Sequence, residues 1–512
     1  MKKLLAYAQV LALPLLLACS EDQGNYDYRA INEITISGIE ESYTVINGAD
    51  KLEISPVITT SLGDDSRLTY EWKVQTDNSP ELNYRAIVGT GRDLSWEVDL
   101  PYTTTWNLLL RVTDTETGVV TLASTILNVT TRTGSGLLLI GENSEGKSQV
   151  DFISMAGDTL VMKNVMNESS GFDNSGKPVN VCKVGKGSLL GNYLWVMTDK
   201  EGWRVNTSTF AMMAGSEFSQ NTYIVDDTYV PEGDFHVVDI FPHNTPSTGF
   251  LDMNNQIAIT SNGLLFSGTT GFVDPMNVLS DEKGISFAKP YLLGGIKSSS
   301  VTNFIYYDEA HERFLKGTTG GFSSATTSRL TDNPDDAFPW NNQEVGRTLQ
   351  YAQNSSNTDN GSRYGNSYAL MRDKNTGDYY IYKFYAYNFT KLESYKPGKV
   401  ATDLDKATAH VFSSQRTALY YTVGSKLYGL DYNKGNEKVT LIKDFGDEIT
   451  MMEVDDIKEF DSDFIYVATY NPTTGGTLTK FKQGTNPDKL ELEEVPNGKW
   501  TGLSKIKGMT YK

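Results

Sequence analysis

The chain is short of the residues on which disulfide scaffolds and metal catalysis usually rest. It has two cysteines and four histidines in 512 residues. The histidines, His236, His243, His311 and His410, fall in neither H-E-x-x-H nor H-x-H spacing, so the sequence offers no histidine zinc site. There is no G-x-S-x-G nucleophile motif either. Basic residues are outnumbered, 45 to 64, for a net charge of −19 and no basic block. A partner that must be gripped by its phosphates, DNA or RNA, is therefore excluded as a natural ligand. No apolar run is long enough to cross a bilayer. What is abundant is Tyr (29) and Gly (45), a composition that favours strands and turns over helices.

The first residues fix an expected compartment. Met1-Lys2-Lys3 precedes an apolar run from Leu4 to Leu17, interrupted by Gln9 and Pro14. That length and charge order suit a signal peptide. The run ends Leu16-Leu17-Ala18-Cys19, which resembles a bacterial lipobox. The resemblance implies removal of residues 1–18, lipidation of Cys19 and a tether over 19–30. Ser20-Glu21-Asp22 resembles the surface-export signal of Bacteroidetes lipoproteins, the other reading being an acidic tether with no address. With Cys19 lipidated, Cys182 has no partner for an internal disulfide and reads as a small buried apolar residue.

Residues 31–131 alternate in short runs such as Leu68-Thr69-Tyr70-Glu71-Trp72-Lys73-Val74 and Trp106-Asn107-Leu108-Leu109-Leu110-Arg111-Val112. About seven strands in about 100 residues is the pattern of a Greek-key sandwich. Tyr70-x-Trp72 places a large aromatic on a central strand. Tyr70-Glu71-Trp72 together with Leu110-Arg111-Val112-Thr113-Asp114 resembles the PKD domains, immunoglobulin-like sandwiches of extracellular proteins. With the lipobox and Gly24-Asn25-Tyr26-Asp27-Tyr28, the chain is similar to PKD-like family lipoproteins of Bacteroidetes. That resemblance implies a place beside SusC/SusD-type uptake systems of the outer membrane.

From 136 to 512 a hairpin recurs. Gly136–Ile140 pairs with Gln149–Ile153, and the first strands of seven such hairpins start near 136, 193, 256, 303, 367, 418 and 464. Propeller blades repeat at about 40–50 residues, and loop insertions stretch that period. The expected fold is thus all-β: an immunoglobulin-like (PKD) sandwich followed by a β-propeller-like domain of about seven blades. Thr501–Tyr511 is expected to complete the first blade and close the ring. A second large sandwich is the alternative.

Two motifs resemble chemistry without supplying its context. Gly141-Glu142-Asn143-Ser144-Glu145-Gly146-Lys147-Ser148 fits the phosphate-loop spacing. A phosphate loop needs a helix after it, and Gln149–Met155 reads as a strand. Ser280-Asp281-Glu282-Lys283-Gly284-Ile285-Ser286-Phe287 loosely resembles the Asp-box, a blade-turn staple of sialidase-type propellers.

The stretch 331–365 is the most suggestive, because a loop this long inside a compact domain is commonly functional or disordered, the other reading being an ordinary insertion with its Trp tucked against a blade. Trp340, Tyr351 and Tyr364 there, with Trp203, are the candidate ligand-binding residues: aromatic faces stack on sugar rings while neighbouring amides and carboxylates take the hydroxyls. Asp332, Asp335 and Asp336 are an alternative calcium set, although the D-x-[DN]-x-[DN]-G pattern is missing. No cofactor is implied. The leading expectation is a non-enzymatic, surface-exposed, lipid-anchored accessory of a SusC/SusD-type system that binds a glycan or other nutrient. The alternatives are a protein-binding assembly factor, or a propeller hydrolase or lyase. Carboxylates or a Tyr–His pair meeting in one propeller pocket would favour the enzyme.

Overall fold

The computed structural model describes residues 31–512 except 77–84, 103–104, 168–169, 185–192, 227–232, 234, 245–253, 269–270, 280, 283, 296–302, 320–324, 455–463, 485 and 487–488. Cys19, the signal segment and the tether lie outside the described residues. Among those described there is no α-helix, and no helix is long and apolar enough to cross a membrane. The chain divides into two compact units, at Thr130 and Thr131.

The first unit is a sandwich. One face is a five-stranded sheet in the order Ser42–Ile46, Val120–Thr130, Thr105–Asp114, Leu68–Gln75, Arg85–Gly89. Opposite it stand two strand pairs, Ile34–Ser37 with Val57–Thr60 and Lys51–Ile54 with Leu94–Glu97. Alternation sorts the residues: in Thr105–Asp114 every second side chain, from Trp106 to Asp114, is buried. Trp72 is fully buried, and its indole N–H donates to the Gly91 carbonyl at 3.1 Å. Asp114 ends the motif Leu110–Asp114. Its buried carboxylate accepts from Arg67 Nε (2.9 Å) and Nη2 (2.7 Å) and from Asn32 Nδ2 (2.9 Å), and Arg67 holds its pKa well below the usual carboxylate range. The residues behind the PKD resemblance are thus the ones that tie the sandwich together.

Among the described residues the second unit is a ring of seven radial sheets, called blades 1 to 7 here. All seven expected hairpins form, and each supplies the two middle strands of a blade. Middle strands are buried on both faces, which is why they read as unbroken apolar runs. In Gly136–Glu142, Leu138 and Ile140 enter a core shared with blade 2, whereas Leu137 and Leu139 enter a core shared with blade 7. Further cores join blades 2 and 3, 3 and 4, 4 and 5, 5 and 6, and 6 and 7. The ring therefore closes on itself. The closing strand is Lys505–Tyr511, the inner strand of blade 1, and the preceding strand Leu492–Leu503 is the outer strand of blade 7. The single terminal strand expected from the sequence is two strands belonging to two blades.

The phosphate-loop lookalike is a hairpin turn: Asn143 N–H donates to Lys147 O, and strand Ser148–Ser154 follows directly. In the Asp-box-like segment, Glu282 ion-pairs with Arg313 and Arg329, and Arg313 also binds the buried Asp308. It staples the approach of blade 4 to the blade's own hairpin.

Candidate functional site

The stretch 331–365 is not one loop. Its middle, Arg347–Asn354, is the inner strand of blade 5. Eight strand residues span roughly 23 Å, so the segments on either side emerge at opposite ends of the blade. Trp340 lies before the strand and Tyr364 after it, so the two do not belong to one loop.

Trp340 is 2% exposed. It packs edge-on against Phe314, Phe338 and Phe384 in the core between blades 4 and 5. Trp203 is 5% exposed and sits edge-on to Phe172 at 5.4 Å. Both expected stacking platforms are core residues, because a planar ring this size is better enclosed between blades than left in water. Tyr364 is half-buried against Tyr387, with ring centroids 4.5 Å apart. The calcium reading is also corrected. Asp332 accepts from the backbone N–H of Trp340 (2.7 Å) and Asn341 (3.0 Å), and Asp336 from that of Asn333 (2.8 Å). Both carboxylates close on the Lys391 ammonium, which fills the place a cation would take, while Asp335 stays exposed. Among the described residues no cluster of His, Cys, Asp or Glu is arranged to hold a metal ion.

Tyr351 is the sequence candidate that the fold brings to a shared site. It stands on the inner strand of blade 5 and stacks on His410 (5.1 Å) and Phe412 (6.0 Å), both on Ala409–Phe412, the inner strand of blade 6. Tyr291, which leads into the inner strand of blade 4, meets it edge-on at 5.6 Å. Its phenol also feels Glu453 on Glu448–Val454, the inner strand of blade 7. Side chains of blades 4, 5 and 6 are thus in ring contact, with the Glu453 carboxylate of blade 7 within electrostatic reach. Gln353 stitches the wall: its Oε1 accepts from Tyr351 Oη (2.9 Å) and Phe412 N (2.8 Å), and its Nε2 donates to Phe412 O (3.0 Å).

A second inner wall comes from blades 2 and 3. Asp239, on Val237–Asn244, accepts through Oδ1 from Ile240 N (2.9 Å) and from Asn180 Nδ2 (3.2 Å), Asn180 lying on Pro178–Val184 of blade 2. Its Oδ2 has no partner among the described residues, and neither do the His410 ring nitrogens or Tyr291 Oη. These groups are largely surrounded by protein yet keep part of their surface accessible.

Burial sets their charge state. It pushes the Asp239 carboxyl up to about 6 and the His410 imidazole down to about 4. Burial, then Tyr291 and Glu453, raises the Tyr351 phenol well above its ordinary value. At neutral pH the aromatic wall is uncharged. Tyr351 and His410 meet face to face instead of through a hydrogen bond, and their pKa values move apart, away from neutrality. The sequence offered Tyr351 but missed Tyr291, His410, Asp239 and Asn180. Their common signal is position: each stands on or beside the short strand that precedes one of the legible hairpins.

The PKD-like family's sequence profile matches residues 19–178, which takes in the sandwich and three of the four strands of blade 1. A comparison with curated proteins gives no match. Among solved structures, the chain is similar to a quinonprotein alcohol dehydrogenase-like protein from Bacteroides thetaiotaomicron, with TM-score 0.35 and 12% identity over 92% of this chain and 96% of that one. It is also similar to the periplasmic gluconolactonase of Pseudomonas aeruginosa, with TM-score 0.38 and 10% identity over 74% and 98%. The Dos1 propeller gives TM-score 0.34 and 10% identity over 79% and 91%. The seven-blade assignment stands on strand order and ring closure, independently of these likenesses.

Proposed function

We propose that the chain is a lipid-anchored outer-membrane protein, facing outward, whose propeller captures a glycan at its axis for a SusC/SusD-type uptake system. Cys19 carries the lipid in this reading, and the sandwich acts as a spacer. The observation that supports capture is the pair of inner walls: Tyr291 Oη and the His410 nitrogens on one, and Asp239 Oδ2 on the other, are largely enclosed, partly accessible and without partners among the described residues. Enclosed polar groups of this kind are costly unless water or a ligand satisfies them. Aromatic faces beside unpaired donors and acceptors match the two-sided chemistry of a sugar ring.

The test is an array of polysaccharides and mucin glycans probed with the chain from Ser20 onwards, with product analysis on every hit. Binding without new reducing ends is expected, and His410→Ala should weaken it about tenfold or more, the scale of one lost charge-free hydrogen bond plus stacking. New reducing ends or unsaturated products would replace capture with the hydrolase or lyase reading, which the Tyr351–His410 contact makes the natural second one. Lipid labelling lost in Cys19→Ala, with protease access on intact cells, tests the anchor and the outward face.

A further inference from the structure

We infer that the outer face of the sandwich's five-stranded sheet lies against an anionic lipid surface. This goes beyond capture by the propeller and rests only on the anchor part of the proposed function. Strand register sets the outward side chains in rows. Leu122 stands beside Arg111 and Glu71, Ser124 beside Leu109, Lys73 and Ile87, and Ile126 beside Asn107, Gln75 and Arg85. Alternation turns these residues away from the core around Trp72 and Trp106. Leu122 is 61% exposed, Ile87 54%, Ile126 45% and Val120 40%. Large aliphatic side chains left this open on one sheet face, with Thr, Ser and Asn among them, mark a surface that meets a partner. The opposite sheet is different: it turns Thr35, Ser37, Thr59, Glu53, Ser95 and Glu97 outward.

Charge and reach choose the partner. The chain as a whole carries −19. On this face, among the described residues, the charged side chains are Arg111, Lys73 and Arg85 against Glu71, which pairs with Lys73 at 3.0 Å. A second copy brought face to face would set these cations against one another. A sugar would find no aromatic ring among the outward side chains to stack on. Phosphate-bearing headgroups suit the face better: they attract Arg and Lys, while the aliphatic side chains enter the boundary beneath them. Reach gives the same answer. Only residues 19–30 separate the sandwich from Cys19, which carries the lipid in the proposed function, a span of about 40 Å at most. The bilayer is then the surface this unit meets at the highest local concentration. The acyl anchor limits distance, and the sheet face sets which side of the sandwich turns to the membrane.

The test mixes the unlipidated chain from Ser20 onwards with two kinds of vesicle, phosphatidylcholine alone and an equal mixture of phosphatidylcholine and phosphatidylglycerol, and reads bound protein by flotation. Binding to the mixed vesicles is expected, weaker on phosphatidylcholine alone and weaker as salt rises. Leu122→Glu combined with Ile126→Glu is expected to lower affinity for the mixed vesicles about tenfold or more, and Arg111→Gln several-fold. Val57→Glu, at an aliphatic position of the opposite sheet that is 55% exposed, is expected to leave it unchanged. Melting curves check that each variant folds like the parent. If the parent does not bind the mixed vesicles, the inference is overturned. Binding that the double variant and Arg111→Gln both leave intact overturns it as well. Sedimentation that shows the parent pairing through this face, with the double variant monomeric and no vesicle binding, assigns the face to a second copy instead. Lipid labelling of Cys19 reports on the anchor separately: an unlabelled parent removes the anchor reading, while the vesicle result is unaffected.

Discussion

Asp239 and His410 are driven in opposite directions by one cause, since an enclosed site disfavours whichever form is charged. For Asp239 the folded value, about 6, lies above the ordinary 3.8. Below about pH 4 both folded and unfolded chains hold the proton. Between 4 and 6 the folded chain keeps a proton that the unfolded chain releases, so stability falls as pH rises through that window and is flat above it. His410 has the reverse sign. Its folded value of about 4 lies below 6.5, so stability is lost as pH falls from 6.5 towards 4. Asp239→Asn removes the first effect alone. The variant should gain stability relative to the parent as pH rises from 4 to 7, by about 3 kcal/mol, with no further gain above. Thermal denaturation across that range checks it, and a relative gain on acidification would contradict the burial argument. At this scale the sequence misled through chemistry alone: Trp340 and Trp203 have the right side chains for a sugar platform, but only the packing of Phe314, Phe384 and Phe172 shows that they are enclosed.

Middle strands and inner strands differ in how visible they are. Leu419-Tyr420-Tyr421 and Phe304-Ile305-Tyr306-Tyr307 are buried on both faces and stand out as apolar runs. Inner strands such as Arg347–Asn354 have one edge at the axis and carry Arg, Thr, Gln and Asn among the apolar residues, so their alternation is blurred. That is why 331–365 reads as a single loop, and why every inner-strand site residue except Tyr351 went unnoticed. The segment before the strand behaves as a wedge. Asp332 and Asp336 are pinned by Lys391, and Phe338 and Trp340 fill the core between blades 4 and 5. Trp340→Ala should cost about 3–5 kcal/mol and lower the melting temperature by several degrees, while glycan affinity stays as in the parent. A loss of affinity without a loss of stability would restore Trp340 as a sugar platform.

In the whole molecule, legibility followed repetition. Seven hairpins at a steady spacing were enough to expect a ring, and the closure was readable as a strand left over at the end. What the spacing did not carry was the offset between the repeat in sequence and the blade in space. Blade 1 takes its inner strand from Lys505–Tyr511 and the rest from 136–166, so the propeller is held shut by contacts across almost its full length. Lys512 N–H donates to Gly136 O at 2.8 Å, Ser504 N–H donates to Asp151 Oδ2 at 2.9 Å, and the hydroxyls of Tyr511 and Ser135 are hydrogen-bonded. Ile506, Met509 and Tyr511 complete the core between blades 7 and 1. Removing residues 505–512 would leave Gly136–Glu142 as an open edge and Leu137 and Leu139 without cover, an arrangement prone to pairing with other chains. Calorimetry of such a truncated chain should show the propeller transition lowered by tens of degrees or lost, with glycan binding abolished. The sandwich, whose core around Trp72 and Trp106 is its own, should melt as before. If instead the truncated propeller melted at the parental temperature and still bound, the axis would not depend on ring closure, and a site built by four blades at that axis would lose its physical basis.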